Sequence, residues 1–160
     1  MAARSRCPQS VKRDTKIVAG VIVGIASAIL AASVTCALAI AHGASMRWRL
    51  LFRVFCHGIP ERCLYLWNVP MPICARCTAI YVGLIVSFAV FLILPRMTER
   101  MARIVLCAAA VPMAIDGLTQ LARLRVSTNS LRIETGLVLG IAFGVWALSA
   151  IENHTAVTIP

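Results

Sequence analysis

Acidic residues are scarce: the chain of 160 residues has 6 Asp+Glu against 16 Lys+Arg, and charged residues make up only 14% of it. Charge this sparse, beside 60% hydrophobic residues and a mean hydropathy of +0.86, excludes a disordered chain, which needs the opposite composition. It also argues against an ordinary soluble domain, where apolar content is roughly 45–50%. One small core cannot absorb the excess, and a bilayer can. The chain also lacks a Walker-type loop, a GxSxG elbow and a helical HExxH, so the common phosphate-binding and hydrolase signatures are absent. The net charge of +10 would suit nucleic acid, but the basic residues lie between the apolar runs rather than on one continuous face. Nucleic acid is not an expected partner, and the charge reads as membrane-flanking.

What is present is a series of apolar runs. The first, residues 17–41, holds 25 residues without a charge; at about 1.5 Å per residue it exceeds the roughly 30 Å of hydrocarbon. It is longer than the roughly 7–15 residues of a signal-peptide core, so a retained anchor is expected rather than a cleaved leader. Three further runs follow at 78–94, about 104–124 and about 133–151. The expected fold is an all-α integral membrane protein with about four transmembrane helices and a Cys-rich, re-entrant connection between the first two. The organisation that follows is a basic tail (1–16), an extra helix (17–41), a core (42–151) containing the Cys-rich segment (53–77), and a short tail (152–160). Four crossings place the segments 42–77 and 122–132 on one membrane face. The basic residues divide evenly between the two sides; the cluster beside the first helix favours a cytoplasmic N-terminus. The expected location is the cell membrane, as a multi-pass protein whose partner is the lipid bilayer.

Small residues recur at four-residue spacing in two runs: Gly20, Gly24, Ala28 and Ala32 in the first, and Gly136, Gly140 and Gly144 in the last. Such stripes permit close helix contact. Spacing leaves open whether the contact lies within one chain or builds a homo-oligomer.

Four of the 7 cysteines fall in the connection after the first run: Cys56, Cys63, Cys74 and Cys77. Cys74 and Cys77 can occupy the first turn of the second helix, where free N–H groups favour thiolate. Joined by Cys56, His57 and Cys63, they offer enough soft ligands for a tetrahedral ion, with Zn²⁺ the expected cofactor. A thiol–disulfide pair and inert structural thiols remain alternatives. Cys7, Cys36 and Cys107 are isolated and read as packing residues.

These residues also fall into four ordered motifs. The first is Cys56-His57 with Pro60 and Arg62. The second runs through Pro72, Cys74, Arg76, Cys77, Thr78, Ile80, Tyr81 and Gly83. The third is Asp116-Gly117 with Thr119 and Gln120, and the fourth comprises Arg125, Ser127, Thr128, Asn129, Leu131, Arg132, Thr135 and Gly136. In these motifs the chain resembles a family of small bacterial and archaeal membrane proteins grouped as a domain of unknown function. The resemblance covers about residues 53–145 and implies a multi-pass membrane protein, with no reaction attached. Ala79 stands where that family usually has Gly, and Cys63 where Ser is expected. The first helix looks like an addition.

Asp116 is the sharpest residue outside the cysteines, because a carboxylate inside a span is costly and by default suggests function. Thr119 and Gln120 share its helix face, and Pro112 one turn earlier removes a backbone donor. Arg125 and Arg132 are the expected cation partners, while Ser127, Thr128 and Asn129 are candidate caps for the last helix. Arg62, Arg76, Arg125 and Arg132 are expected to form a basic mouth above the thiols, suited to an anionic substrate, a lipid phosphate or charge balance for a metal–thiolate cluster. Three functions are in competition. The preferred one is a metal site on one membrane face; the second is a membrane thiol–disulfide oxidoreductase passing electrons from the CxxC pair to a quinone or partner thiol. The third is a transport or assembly subunit with Asp116 on an ion path.

Overall fold

A computed structural model describes residues 8–93, 97–122, 124 and 126–157. Four α-helices dominate it: α1 (Pro8–Ala41), α2 (Ala75–Ile93), α3 (Glu99–Leu121) and α4 (Asn129–Val157). Three contain stretches long and apolar enough to cross a membrane, Thr15–Ala41, Glu99–Leu121 and Asn129–Asn153, while the apolar part of α2, Ala75–Phe91, is shorter. Large apolar side chains such as Ile17, Val21 and Ile25 on α1, and Met101, Ile104, Val111 and Leu118 on α3, point away from the bundle. An aqueous fold would bury them; a lipid-facing helix leaves them outward.

Backbone contact between α2 and α4 sets the bundle. A Cβ at Gly140 would overlap the Ile80 carbonyl, and one at Gly83 would lie 2.6 Å from the Leu137 carbonyl oxygen and 2.9 Å from the Gly140 Cα. Gly144 likewise sits against Ser87, and Gly136 against the Arg76 carbonyl. The α4 glycine stripe is therefore used within the chain. On α1, by contrast, Ala19, Ala26, Ser33 and Ala37 turn inward, whereas Gly20, Gly24, Ala28 and Ala32 are exposed.

The connection between α1 and α2 corrects the all-α expectation. After a 3-10 helix, Met46–Val54, and a short 3-10 turn, Pro60–Arg62, it forms an antiparallel hairpin of β1 (Cys63–Leu66) and β2 (Val69–Cys74). Trp67 and Asn68 link the strands with φ of 49° and 62°, the left-handed pair that a two-residue hairpin connection demands. Pro70 and Pro72 are tolerated because each strand of a two-stranded sheet has a free edge. Phe52, Met71 and Ile73 form a buried cluster against Leu30 and Cys36 of α1 and Cys77 and Tyr81 of α2. That cluster seats the hairpin on the end of the bundle where α2 begins.

The helices start earlier than hydropathy alone indicates. Thr98 caps α3 by accepting from the Met101 N–H at 3.4 Å, so the helix opens at Glu99 rather than near residue 104. Similarly, Thr128 accepts from the Leu131 N–H at 3.3 Å, and α4 opens at Asn129. Polar first turns are invisible to an apolar window.

The α2–α4 contact yields an internal control. We expect Gly140→Ala to lower stability in detergent by about 1–3 kcal/mol through overpacking, and Gly24→Ala, which has nothing within 4 Å, to leave the thermal midpoint unchanged. Equal effects would contradict the assigned helix contact.

Candidate metal site and its polar support

Gly58 adopts φ +57°, and a Cβ there would lie 2.7 Å from the Pro72 carbonyl oxygen. Only glycine combines that conformation with that approach, and the turn it makes folds the Cys56 side chain onto the end of β2. Sulfurs of Cys56, Cys74 and Cys77 then lie within 4.8 Å of one another. Cys74 ends β2 and Cys77 sits in the first turn of α2, so hairpin and helix supply the three sulfurs. The Cys74 N–H donates to Cys56 Sγ at 3.3 Å, and the Cys77 N–H to Cys74 Sγ at 3.5 Å.

The thiols differ in environment. Hydrogen bonds from the Cys74 and Cys77 thiols, helped by the backbone N–H groups of Gly58 and Cys74, pull the Cys56 thiol down to about 2, against the opposing effect of burial. The hydrogen bonds converging on Cys56 thus favour its ionised form. Cys63 stands apart: burial pushes its thiol up to about 11, with Arg49 opposing. It donates to the Ile59 carbonyl at 3.1 Å. Neither Cys63 nor His57 belongs to the group of three sulfurs. His57 is exposed and lines the same cleft, of about 370 Å³, as the three thiols, Arg62 and Arg76.

One turn of α2 joins the thiols to a buried polar network. Arg76, one residue before Cys77, forms an ion pair with Asp116 of α3; the two side chains are 20% and 2% exposed. Nearness along the chain predicts Arg125 and Arg132 as the cation partners of Asp116. Helix packing instead brings the start of α2 beside the end of α3, so the pairing to Arg76 crosses 40 positions. Arg132 reaches Asp116 through an intermediary: it donates to Gln120 Oε1 at 3.1 Å, and Gln120 Nε2 donates to Asp116 Oδ2 at 2.8 Å. Arg125 lies outside the described residues. Ser127 donates to Asp116 Oδ2 at 3.1 Å. The Thr119 hydroxyl turns back to its own helix, donating to the Ile115 carbonyl at 2.8 Å.

The Ser127-Thr128-Asn129 run divides three tasks. Ser127 holds the carboxylate and Thr128 caps α4. Asn129 accepts from Arg132 at 2.8 Å and donates to the Cys63 carbonyl at 3.3 Å, tying the α4 start to the hairpin. Arg49, which sequence reasoning passed over, donates to the Gly58 carbonyl at 2.9 Å and the Met71 carbonyl at 3.2 Å. It clamps the turn that presents Cys56. The available signal was three arginines interleaved with apolar residues over 47–55, and the resemblance motifs begin only after it.

Residues 56–146 match the family described as "Predicted membrane protein (DUF2085)". The chain belongs to that family. The DUF2085 stretch begins at Cys56 and contains the three clustered thiols, Arg76, Asp116 and Arg132, while α1 and Arg49 lie before it. The chain is 35% identical over 92 residues to the uncharacterized protein MJ1492 of Methanocaldococcus jannaschii, a match covering 56% of this chain and 59% of that one. It is 37% identical over 103 residues to an uncharacterized protein of Methanothermobacter thermautotrophicus, covering 64% of this chain and 91% of the relative. No solved structure matches.

Breaking a buried ion pair by removing one partner costs about 3–5 kcal/mol, because the other charge is stranded. Asp116→Ala and Arg76→Met should each destabilise the detergent-purified protein by about that much, and the double variant should lose clearly less than the sum. Additive losses in thermal or denaturant unfolding would show that the pair carries no coupling.

Proposed function

We propose that this DUF2085 member is a multi-pass membrane protein that holds Zn²⁺ through Cys56, Cys74 and Cys77 at one membrane face. The observation carrying the reading is the convergence of three sulfurs within 4.8 Å. Zn–S bonds of about 2.3 Å in tetrahedral geometry place sulfurs about 3.8 Å apart, so small side-chain adjustments suffice to close on an ion. The donor set is soft, which favours Zn²⁺ over Mg²⁺ or Ca²⁺. Hydrogen bonds that favour the ionised form of Cys56 lower the proton cost of binding, and Arg76 and Arg62 offset the charge of three thiolates. Asp116 is then a support for Arg76, which stands in the same helical turn as Cys77.

All four helices cross the bilayer in this reading. With 19 residues at about 1.5 Å each, α2 reaches about 28 Å, close to the hydrocarbon thickness. The location is the cell membrane, and the exposed Gly20, Gly24, Ala28 and Ala32 stripe on α1 is the face available to a second copy. A thiol–disulfide reading draws support from the low-lying Cys56 thiol beside the CxxC pair: the Cys74/Cys77 dithiol would give up two electrons and two protons, forming the disulfide and reducing a quinone to its quinol.

Elemental analysis of detergent-purified protein, prepared reduced and without chelator, should find about one Zn per chain with Cys56, Cys74 and Cys77 protected from alkylation. Serine at any of the three should remove the metal, while Cys36→Ser and Cys107→Ser should retain it. Undiminished metal in the Cys74→Ser/Cys77→Ser protein would overturn coordination by this pair, and metal-free protein with a reducible Cys74–Cys77 disulfide would favour the redox reading.

For the topology, cysteines introduced at positions 57 and 128 should label from the same membrane side and one at position 98 from the opposite side. Labelling of 57 and 128 from opposite sides would overturn a shared-face site.

A further inference from the structure

The three sulfurs supply one ligand fewer than a closed tetrahedral site needs, and all three line an open cleft. Structural zinc sites are closed by four protein ligands; a site with three leaves a position for an exogenous one. What surrounds that position is cationic. Arg62 and Arg76 line the cleft, and none of its lining residues is Asp or Glu. Asp116 is engaged with Arg76, yet the buried Arg76 Nε has no hydrogen-bond partner among the described residues. Arg62 is exposed, and its guanidinium makes no hydrogen bond or ion pair among the described residues. A planar guanidinium matches the paired oxygens of a phosphate or carboxylate, and a metal ion binds such an oxygen directly.

We propose that the cleft binds a phosphate-type oxyanion, one oxygen on the metal held by Cys56, Cys74 and Cys77 and another on the Arg62 guanidinium. This rests on the metal reading and extends it from a closed structural site to a ligand-binding one. The volume, about 370 Å³, accommodates a free phosphate with room to spare and equally a lipid phosphomonoester headgroup. Apolar Phe55 and Ile59, which also line the cleft, suit a ligand entering from the membrane interface.

Cobalt substitution separates the two layers of the claim. Co²⁺-loaded protein in a non-ionic detergent should show sulfur-to-cobalt charge-transfer bands, and adding inorganic phosphate should shift the visible d–d bands saturably without abolishing the charge transfer. Arg62→Ala should weaken the phosphate response about tenfold, the scale of one charge-assisted hydrogen bond, while keeping the charge-transfer bands. A parallel series in nanodiscs of phosphatidylcholine, with and without phosphatidic acid, identifies the source. A response to free phosphate supports a soluble oxyanion, and a response confined to phosphatidic acid supports a lipid headgroup; either sustains the proposal. Charge-transfer bands with d–d bands unmoved by both probes, or moved equally in Arg62→Ala, would overturn the oxyanion site and leave the metal site standing. If His57→Ala alters the d–d bands without any anion present, His57 is the fourth ligand and the proposal fails. No charge-transfer bands at all would overturn the metal reading itself.

Discussion

A carboxylate buried among apolar helices must be matched by a cation, and Asp116 is matched by Arg76. The rest of the arrangement depends on that match because of where Arg76 stands. It occupies the first turn of α2 between Cys74 and Cys77, so the interaction that satisfies α3 also fixes the helical turn that presents Cys77 and directly follows Cys74. Gln120 and Ser127 take further positions on the same carboxylate oxygen, and Arg132 and Asn129 extend the network to the hairpin at the Cys63 carbonyl. The start of α4, the end of α3, the start of α2 and the hairpin therefore share one hydrogen-bonded junction.

Close packing makes the junction possible. The glycine contacts of α4 bring its backbone against α2 from Arg76 to Ser87, which sets Arg132 one turn into α4 at the level of the thiols. Arg49 donates to the Gly58 carbonyl of the Cys56 turn and to the Met71 carbonyl of β2, tying the two together. The cysteine cluster thus has the apolar Phe52, Met71 and Ile73 group against Cys56 and Cys77, while Arg62 and Arg76 line the cleft it opens into. A site built this way couples folding of the membrane bundle to the condition of the thiols, since loosening either relaxes the other.

The membrane class was legible from the uncharged runs, because an apolar excess has few destinations and length alone separates a span from a core helix. Crowding of cysteines into one segment pointed to Cys56, Cys74 and Cys77, but spacing could not separate them from Cys63, whose burial depends on how the hairpin turns. The hairpin itself was hidden. Its strands are short, two prolines interrupt β2, and Trp67 adopts a positive φ that its residue type does not advertise. Asp116 was readable as a costly group, while its partner was not, since ion pairs across helices follow packing rather than distance along the chain. The α4 glycine stripe announced close contact and left the neighbour undetermined until the Cβ positions met α2.

The most direct test of the central claim is the zinc K-edge X-ray absorption fine structure of the detergent-purified protein. The account predicts a first shell of three sulfurs at about 2.3 Å and one oxygen or nitrogen at about 2.0–2.1 Å. A shell of only oxygen and nitrogen would contradict coordination by Cys56, Cys74 and Cys77.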